Sequence, residues 1–121
     1  MTDVVIIGGG PGGYEAALVG AHLGGKVTVI ERAGVGGSAV LTDVVPSKGL
    51  IAVSDVMTRI RKSNKLGLEP VDPSQTSLVE TVRVDAVKMN ERLLELAAQQ
   101  SADIQTRLNL EGVRTIHGNG R

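Results

Sequence analysis

Apolar positions follow two rhythms along this chain. Val4 to Ile7 form an unbroken apolar run, and Val27, Thr28, Val29 and Ile30 form a second, β-branched one. Both are too short to cross a bilayer and suit the middle of a parallel sheet, so strands are predicted over 2–8 and 26–31. Between them a helix is predicted over about 12–24, with small residues Ala16, Ala17 and Gly20 where a helix must lie close on a sheet. Leu50, Ile51, Val53, Val56, Met57 and Ile60 make an apolar stripe at helical spacing and predict a helix over 46–65, opened by Pro46. Gly67 and the Pro70 to Ser74 stretch break that pattern into a loop. Val82, Ala86, Met89, Leu93, Ala97, Ile104 and Leu108 then recur at helical spacing, with Arg83, Lys88, Glu91, Arg92 and Glu95 opposite. They predict a helix over 79–111, starting near Ser77 or Asp85 and reaching roughly 40 Å. Gly112 suits its C-terminal cap, and Val113 to His117 read as a third strand.

The join between the first strand and the first helix is rich in glycine. Gly8, Gly10 and Gly13 have the spacing G-x-G-x-x-G, and the second strand ends in an acid, Glu31, 23 positions past Gly8. Each part has its own task in holding a dinucleotide. Gly8 permits a tight turn, Gly10 leaves room for a pyrophosphate to approach the backbone, and Gly13 lets the helix lie close on the strand. With Gly12 they open a helix whose free N–H groups attract phosphate. Pro11 costs nothing in the first helical turn. Glu31 can accept hydrogen bonds from ribose hydroxyls, and it repels a 2′-phosphate, which favours FAD or NAD over NADP at this site. Arg32 could offset that repulsion, but side chains alternate along a strand, so it is expected to point the other way. The fold class predicted is α/β, a Rossmann-like, doubly wound parallel sheet forming an FAD/NAD(P)-binding domain. It carries a long helical excursion.

A second pair of glycines, Gly36 and Gly37, follows the acid, and then Ser38 to Lys48, with Val45-Pro46-Ser47-Lys48 at its end. This arrangement resembles the FAD domain of the flavoprotein disulfide reductases, the group of dihydrolipoyl dehydrogenase, glutathione reductase and mercuric reductase. The family pattern has two redox cysteines, five positions apart, where this chain has Ala39 and Val44. The chain contains no cysteine, so electron transfer through a dithiol in this segment is excluded. The variant is similar to the cysteine-less dihydrolipoamide dehydrogenase homologues of actinobacteria, which look like NAD(P)H:quinone reductases. The resemblance implies FAD as cofactor, NAD(P)H as co-substrate, a quinone-like electron acceptor, and no catalytic side chain within these residues. It also implies that Ser38 and Ala39 lie at the cofactor, that Lys48 sits beside the flavin ring and steadies negative charge on it, and that Gly118 brings backbone to the adenine. By the same resemblance, 1–121 is the N-terminal part of a homodimeric enzyme whose NAD(P) and dimerisation domains lie elsewhere. These residues alone are then expected to lack hydride transfer.

Composition narrows the alternatives. With 13 basic and 13 acidic residues the formal charge is zero, which offers no electrostatic footprint for nucleic acid. Arg59, Arg61, Lys62 and Lys65 read as a solvated helix face. No apolar run reaches membrane-spanning length and no signal-like segment opens the chain, so a cytoplasmic location without a membrane span is expected. No metal site is foreseen. His22 suits a helix C-terminus, and His117 is expected to contribute backbone. With one tyrosine and neither phenylalanine nor tryptophan, the core must be Val, Ile, Leu and Ala. A non-catalytic dinucleotide-binding module is the competing reading. A plain NAD-dependent dehydrogenase leaves residues 38–48 without a purpose.

Overall fold

A computed structural model describes residues 1–120. Three parallel strands, β1 (Asp3–Ile7), β2 (Lys26–Glu31) and β3 (Arg114–His117), pair in the order β1-β2-β3. The register sets Ile6 beside Val29 and Val29 beside Thr115, and likewise Ile7 beside Ile30 beside Ile116. Helix α1 (Pro11–His22) joins β1 to β2. A longer excursion joins β2 to β3. It comprises α2 (Gly37–Leu41), α3 (Val44–Arg61), two single 3-10 turns (Ser63–Leu66 and Leu78–Thr81) and α4 (Ala86–Leu110).

Alternation along the strands separates two faces. Val27 and Val29 point to one of them and join Ala17 of α1 and Leu108 of α4, with Val35 and Val113, in the buried core. Val4, Ile6, Tyr14, Leu18, Ala21 and Ile104 pack around this cluster. The opposite face carries Val5 and Ile7, which are 63% and 68% exposed. Burial on both faces is therefore met on one face only within this chain, because α1 and α4 lie on the same side. The parallel strands and their crossovers are those of an incomplete Rossmann-like fold.

Glycine closes both sheet-covering helices in the same way. At the end of α1 the N–H groups of Gly24 and Gly25 donate to the carbonyls of Ala21 and Gly20. At the end of α4, Gly112 and Val113 donate to Asn109 and Leu108. A left-handed residue just past the helix satisfies carbonyls that would otherwise lack donors.

Two expectations are corrected. The helix predicted over 46–65 begins at Val44 and ends at Arg61, with a 3-10 turn after it. Pro46 still falls in its first turn, where a missing N–H breaks no bond. Along the apolar stripe of α3, Leu50, Ile51 and Val56 are exposed, and no residue of this helix is buried. The helix predicted over 79–111 is two elements. Ser77 caps the short turn through Val79 N–H, and Asp85 caps α4 through Lys88 N–H. Each candidate start is real, but for its own helix, and 82–85 between them is extended or irregular. At its 25 residues α4 is roughly 37 Å long.

Candidate dinucleotide site

The site lies at the carboxyl ends of the strands, where an open α/β sheet places its ligands. β1 ends at Ile7, and Gly8 adopts φ +97°, a left-handed conformation that side chains disfavour. This turns the chain into α1. Gly13 then sits directly over the turn: a Cβ built there would collide with the Gly8 carbonyl oxygen. Built on Gly10 or Gly12, a Cβ would meet nothing within 4 Å. The two kinds of glycine thus differ in use. Gly13 is required by internal packing, whereas Gly10 and Gly12 face open space. The first helical bond runs from Tyr14 N–H to the Gly10 carbonyl. The N–H groups of Gly12 and Gly13 precede it, so they have no intrahelical acceptor.

Glu31, the last residue of β2, joins this turn to the second strand. Its Oε2 accepts from Gly9 N–H at 2.6 Å, and its Oε1 accepts from Ala33 N–H at 2.8 Å and Gly34 N–H at 3.5 Å. Partial burial pushes the Glu31 pKa up, but the backbone N–H groups of Ala33, Gly9, Gly34 and Arg32 outweigh it and hold the carboxyl below the ordinary glutamate range. A depressed carboxyl pKa means that the unfolded chain binds more protons near that pH. The contribution is fully present above the unfolded-state value, about 4.3, and is lost as pH falls through the lower folded value. Acid titration of the unfolding midpoint is expected to show this loss, and Glu31→Gln is expected to remove that part of it. An identical acid profile for the variant would refute the assignment.

A cleft of about 230 Å³ opens beside these groups, lined by Ile7, Gly8, Ile30, Glu31, Arg32, Gly118, Asn119 and Gly120. Gly118 N–H donates to the Glu31 carbonyl at 2.9 Å, which seats the segment after β3 against the end of β2. Arg32 lines this cleft together with Glu31. β2 ends at Glu31, and alternation holds only within a strand. His117 lines a neighbouring hollow with Glu31, Gly34, Val35, Gln105 and Thr115.

Gly36 and Gly37 lie against the turn. Gly36 N–H donates to the Gly9 carbonyl at 2.7 Å, and a Cβ on Gly37 would come within 3.0 Å of the Gly10 Cα. Gly37 opens α2, so Ser38 and Ala39 follow in that helix, with Ser38 exposed. Val44 is the first residue of α3 and is exposed. Lys48, one turn on, is exposed and does not line the strand-end cleft. The structure thus brings together Gly8, Gly10, Pro11, Gly12, Gly13, Glu31, Arg32, Gly36, Gly37 and Gly118, and sets Lys48 apart on α3.

Sequence reasoning did not single out Gly9, whose N–H and C=O are both engaged, nor Asn119 and Gly120 in the cleft. It also passed over Ser101 of α4, whose hydroxyl donates to the Val35 carbonyl at 2.6 Å. The glycine run hinted at Gly9; nothing near Ser101 in sequence marks it. Among the described residues no cluster of His, Cys, Asp or Glu could hold a metal, and no helix is long and apolar enough to cross a membrane.

Comparison with known proteins agrees with this geometry. The family model described as pyridine nucleotide-disulphide oxidoreductase matches residues 2–121. NAD(P)H dehydrogenase (quinone) of Mycobacterium tuberculosis H37Rv is 42% identical over 123 residues, covering 99% of this chain and 24% of that protein. Dihydrolipoyl dehydrogenase of Geobacillus stearothermophilus is 29% identical over 117 residues, covering 97% of this chain and 23% of that protein. The crystal structure of LpdA from Mycobacterium tuberculosis superimposes with a TM-score of 0.84 at 41% identity, covering 98% of this chain and 24% of that one. The chain therefore spans about a quarter of the length of these relatives. A strand–glycine turn–helix unit and a family match along nearly the whole chain lead to one conclusion: this chain belongs to the pyridine nucleotide-disulphide oxidoreductase family.

Proposed function

We propose that this chain is the FAD-binding portion of a homodimeric NAD(P)H-dependent flavin oxidoreductase that reduces quinone-like acceptors without a redox disulfide. The observation that carries the reading is the open approach to Gly10 and Gly12 beside the Glu31 carboxylate. The N–H groups of Gly12 and Gly13 hold the diphosphate there. Glu31 accepts from the adenosine ribose: its two oxygens offer about four lone-pair sites, and three backbone N–H groups leave capacity for a hydroxyl. Arg32 and the Gly118 backbone border the adenosine end. Gly36, Gly37, Ser38 and Ala39 line the way towards the flavin, and Lys48 supplies a cation for the reduced ring. FAD, when bound, supplies a two-electron relay between a reduced nicotinamide and the acceptor.

The quinone reading is supported by the mycobacterial relative's name and by Ala39 and Val44, neither of which can form a thiolate. Exposed apolar residues along α3 and α4, among them Leu50, Ile51, Val87 and Leu94, support a homodimer. The first test is titration of the purified chain with FAD, followed in the visible band. One bound FAD per chain is expected, and Glu31→Ala is expected to weaken binding by about tenfold or more, as loss of a charged hydrogen-bond acceptor does. Absence of any FAD binding would refute the proposal. In a longer protein containing this chain, NAD(P)H-driven reduction of a quinone but not of lipoamide is expected.

A further inference from the structure

The peptide unit between Val35 and Gly36 is bonded on both sides. Its carbonyl accepts from the Ser101 hydroxyl at 2.6 Å, and its N–H donates to the Gly9 carbonyl at 2.7 Å. Val35, Gly36 and Gly9 are all buried, and Ser101 is half-buried. Among the described residues no other donor reaches the Val35 carbonyl. The next peptide in the relay, Gly9 to Gly10, is trans, so its N–H points away from Gly36. That N–H belongs to Gly10, the glycine with open space before it. From the other side, Glu31 holds Gly9 N–H at 2.6 Å.

We infer that Ser101 is a positioning residue for the dinucleotide-binding turn. It acts from α4, 66 positions along the chain from the carbonyl it holds. The inference rests on the proposed reading of this turn as the FAD site. Ser101 meets that site only through the Val35 carbonyl. Its hydroxyl fixes the Val35–Gly36 peptide, that peptide fixes Gly9, and Gly9 sets where Gly10 presents its N–H. Hydrogen bonds in such a series polarise one another, so loss at the far end loosens the donor at the near end. The relay also explains why the loop between Glu31 and Gly36 holds its shape without a helix or strand of its own: Glu31 holds its start and Ser101 its end.

Ser101→Ala removes one hydroxyl and leaves the Val35 carbonyl buried without a donor, whereas Ser101→Thr keeps the hydroxyl. Two readouts separate positioning from bulk stability: the FAD dissociation constant, and amide hydrogen exchange at Gly36 against that at Val27 and Val29 in the central strand. For Ser101→Ala the expected result is FAD binding weakened about five- to tenfold, the loss of one hydrogen bond. Gly36 exchange is expected to quicken by a similar factor while Val27 and Val29 stay unchanged. Ser101→Thr is expected to match the wild type. Unchanged Gly36 exchange in Ser101→Ala would overturn the inference. So would faster exchange at all three amides, failure of that variant to fold, or a threonine variant as weak as the alanine one. Failure of the wild-type chain to bind FAD would instead overturn the functional reading, and the exchange comparison alone would then decide the clamp.

Discussion

Gly13→Ala is expected to destabilise the chain by about 3 kcal/mol, at the upper end for forcing an extra methyl into a close-packed site, and to abolish dinucleotide binding. In an exposed helix the same change stabilises by about 1 kcal/mol, because alanine is the better helix former. Here the sign is reversed by one contact. The new Cβ would collide with the Gly8 carbonyl oxygen, a backbone atom that no rotamer change can move. Either α1 lifts from the end of β1 or the Gly8 turn opens. Both displace the N–H groups of Gly12 and Gly13 at the start of α1. Gly12→Ala is the control for stability, since its Cβ would meet nothing within 4 Å. It is expected to keep the unfolding midpoint while weakening FAD binding. Urea unfolding of the two variants beside FAD titration checks this. A Gly13→Ala chain with the wild-type midpoint would show that the helix does not depend on that approach.

Leu108→Ala is the second large effect, expected at about 3–4 kcal/mol, the cost of removing a buried leucine and leaving a cavity. Leu108 is fully buried and shares the core with Ala17, Val27, Val29 and Val113. Its carbonyl also accepts from Val113 N–H at the end of α4, so it lies where helix and third strand meet. Domains of this size are stable by only about 5–15 kcal/mol, so the loss is a large share of the whole. The consequence reaches the site, because α4 carries Ser101 and Gln105, which bond to the Val35 carbonyl and to Thr115 of β3. Leu94→Ala, at an exposed position of the same helix, is expected to stay within about 0.5 kcal/mol. Equal thermal midpoints for the two variants would contradict the placement of the core.

The parts of this site that were readable in advance are those whose physics is local. A strand, a left-handed glycine, a proline in the first helical turn and an acid at the end of the next strand each follow from neighbours in the chain. The structure accordingly finds Gly8, Gly13 and Glu31 where that reasoning set them. Arg32 lines the cleft although alternation was expected to turn it away, because alternation presumes that the strand continues and β2 stops one residue earlier. The helix predicted over 79–111 was misjudged for a related reason. The apolar spacing runs on through Val82, while Ser77 and Asp85 each start a helix of their own.

Helical spacing in α3 is a further case. Leu50, Ile51 and Val56 repeat as a buried face does, yet they are exposed. Periodicity reports which residues share a side of a helix; it does not say whether anything covers that side. The sheet follows the same logic. Val5 and Ile7 read as strand core, and within this chain only the face under α1 and α4 is covered.

By itself, then, the sequence determined the strand–turn–helix unit, the acid that closes it, the absence of thiols at Ala39 and Val44, and the parallel sense of the first two strands. These depend on backbone conformation and side-chain type within a few residues of each other. Only the tertiary structure decided that Gly9 is held by Glu31 on one side and Gly36 on the other, that Arg32 shares the cleft, and that Ser101 reaches the loop from α4. Those contacts join residues 22 to 66 positions apart or set side chains beyond a strand's last hydrogen bond. Their partners are chosen by how α4 crosses the sheet, which no local pattern encodes.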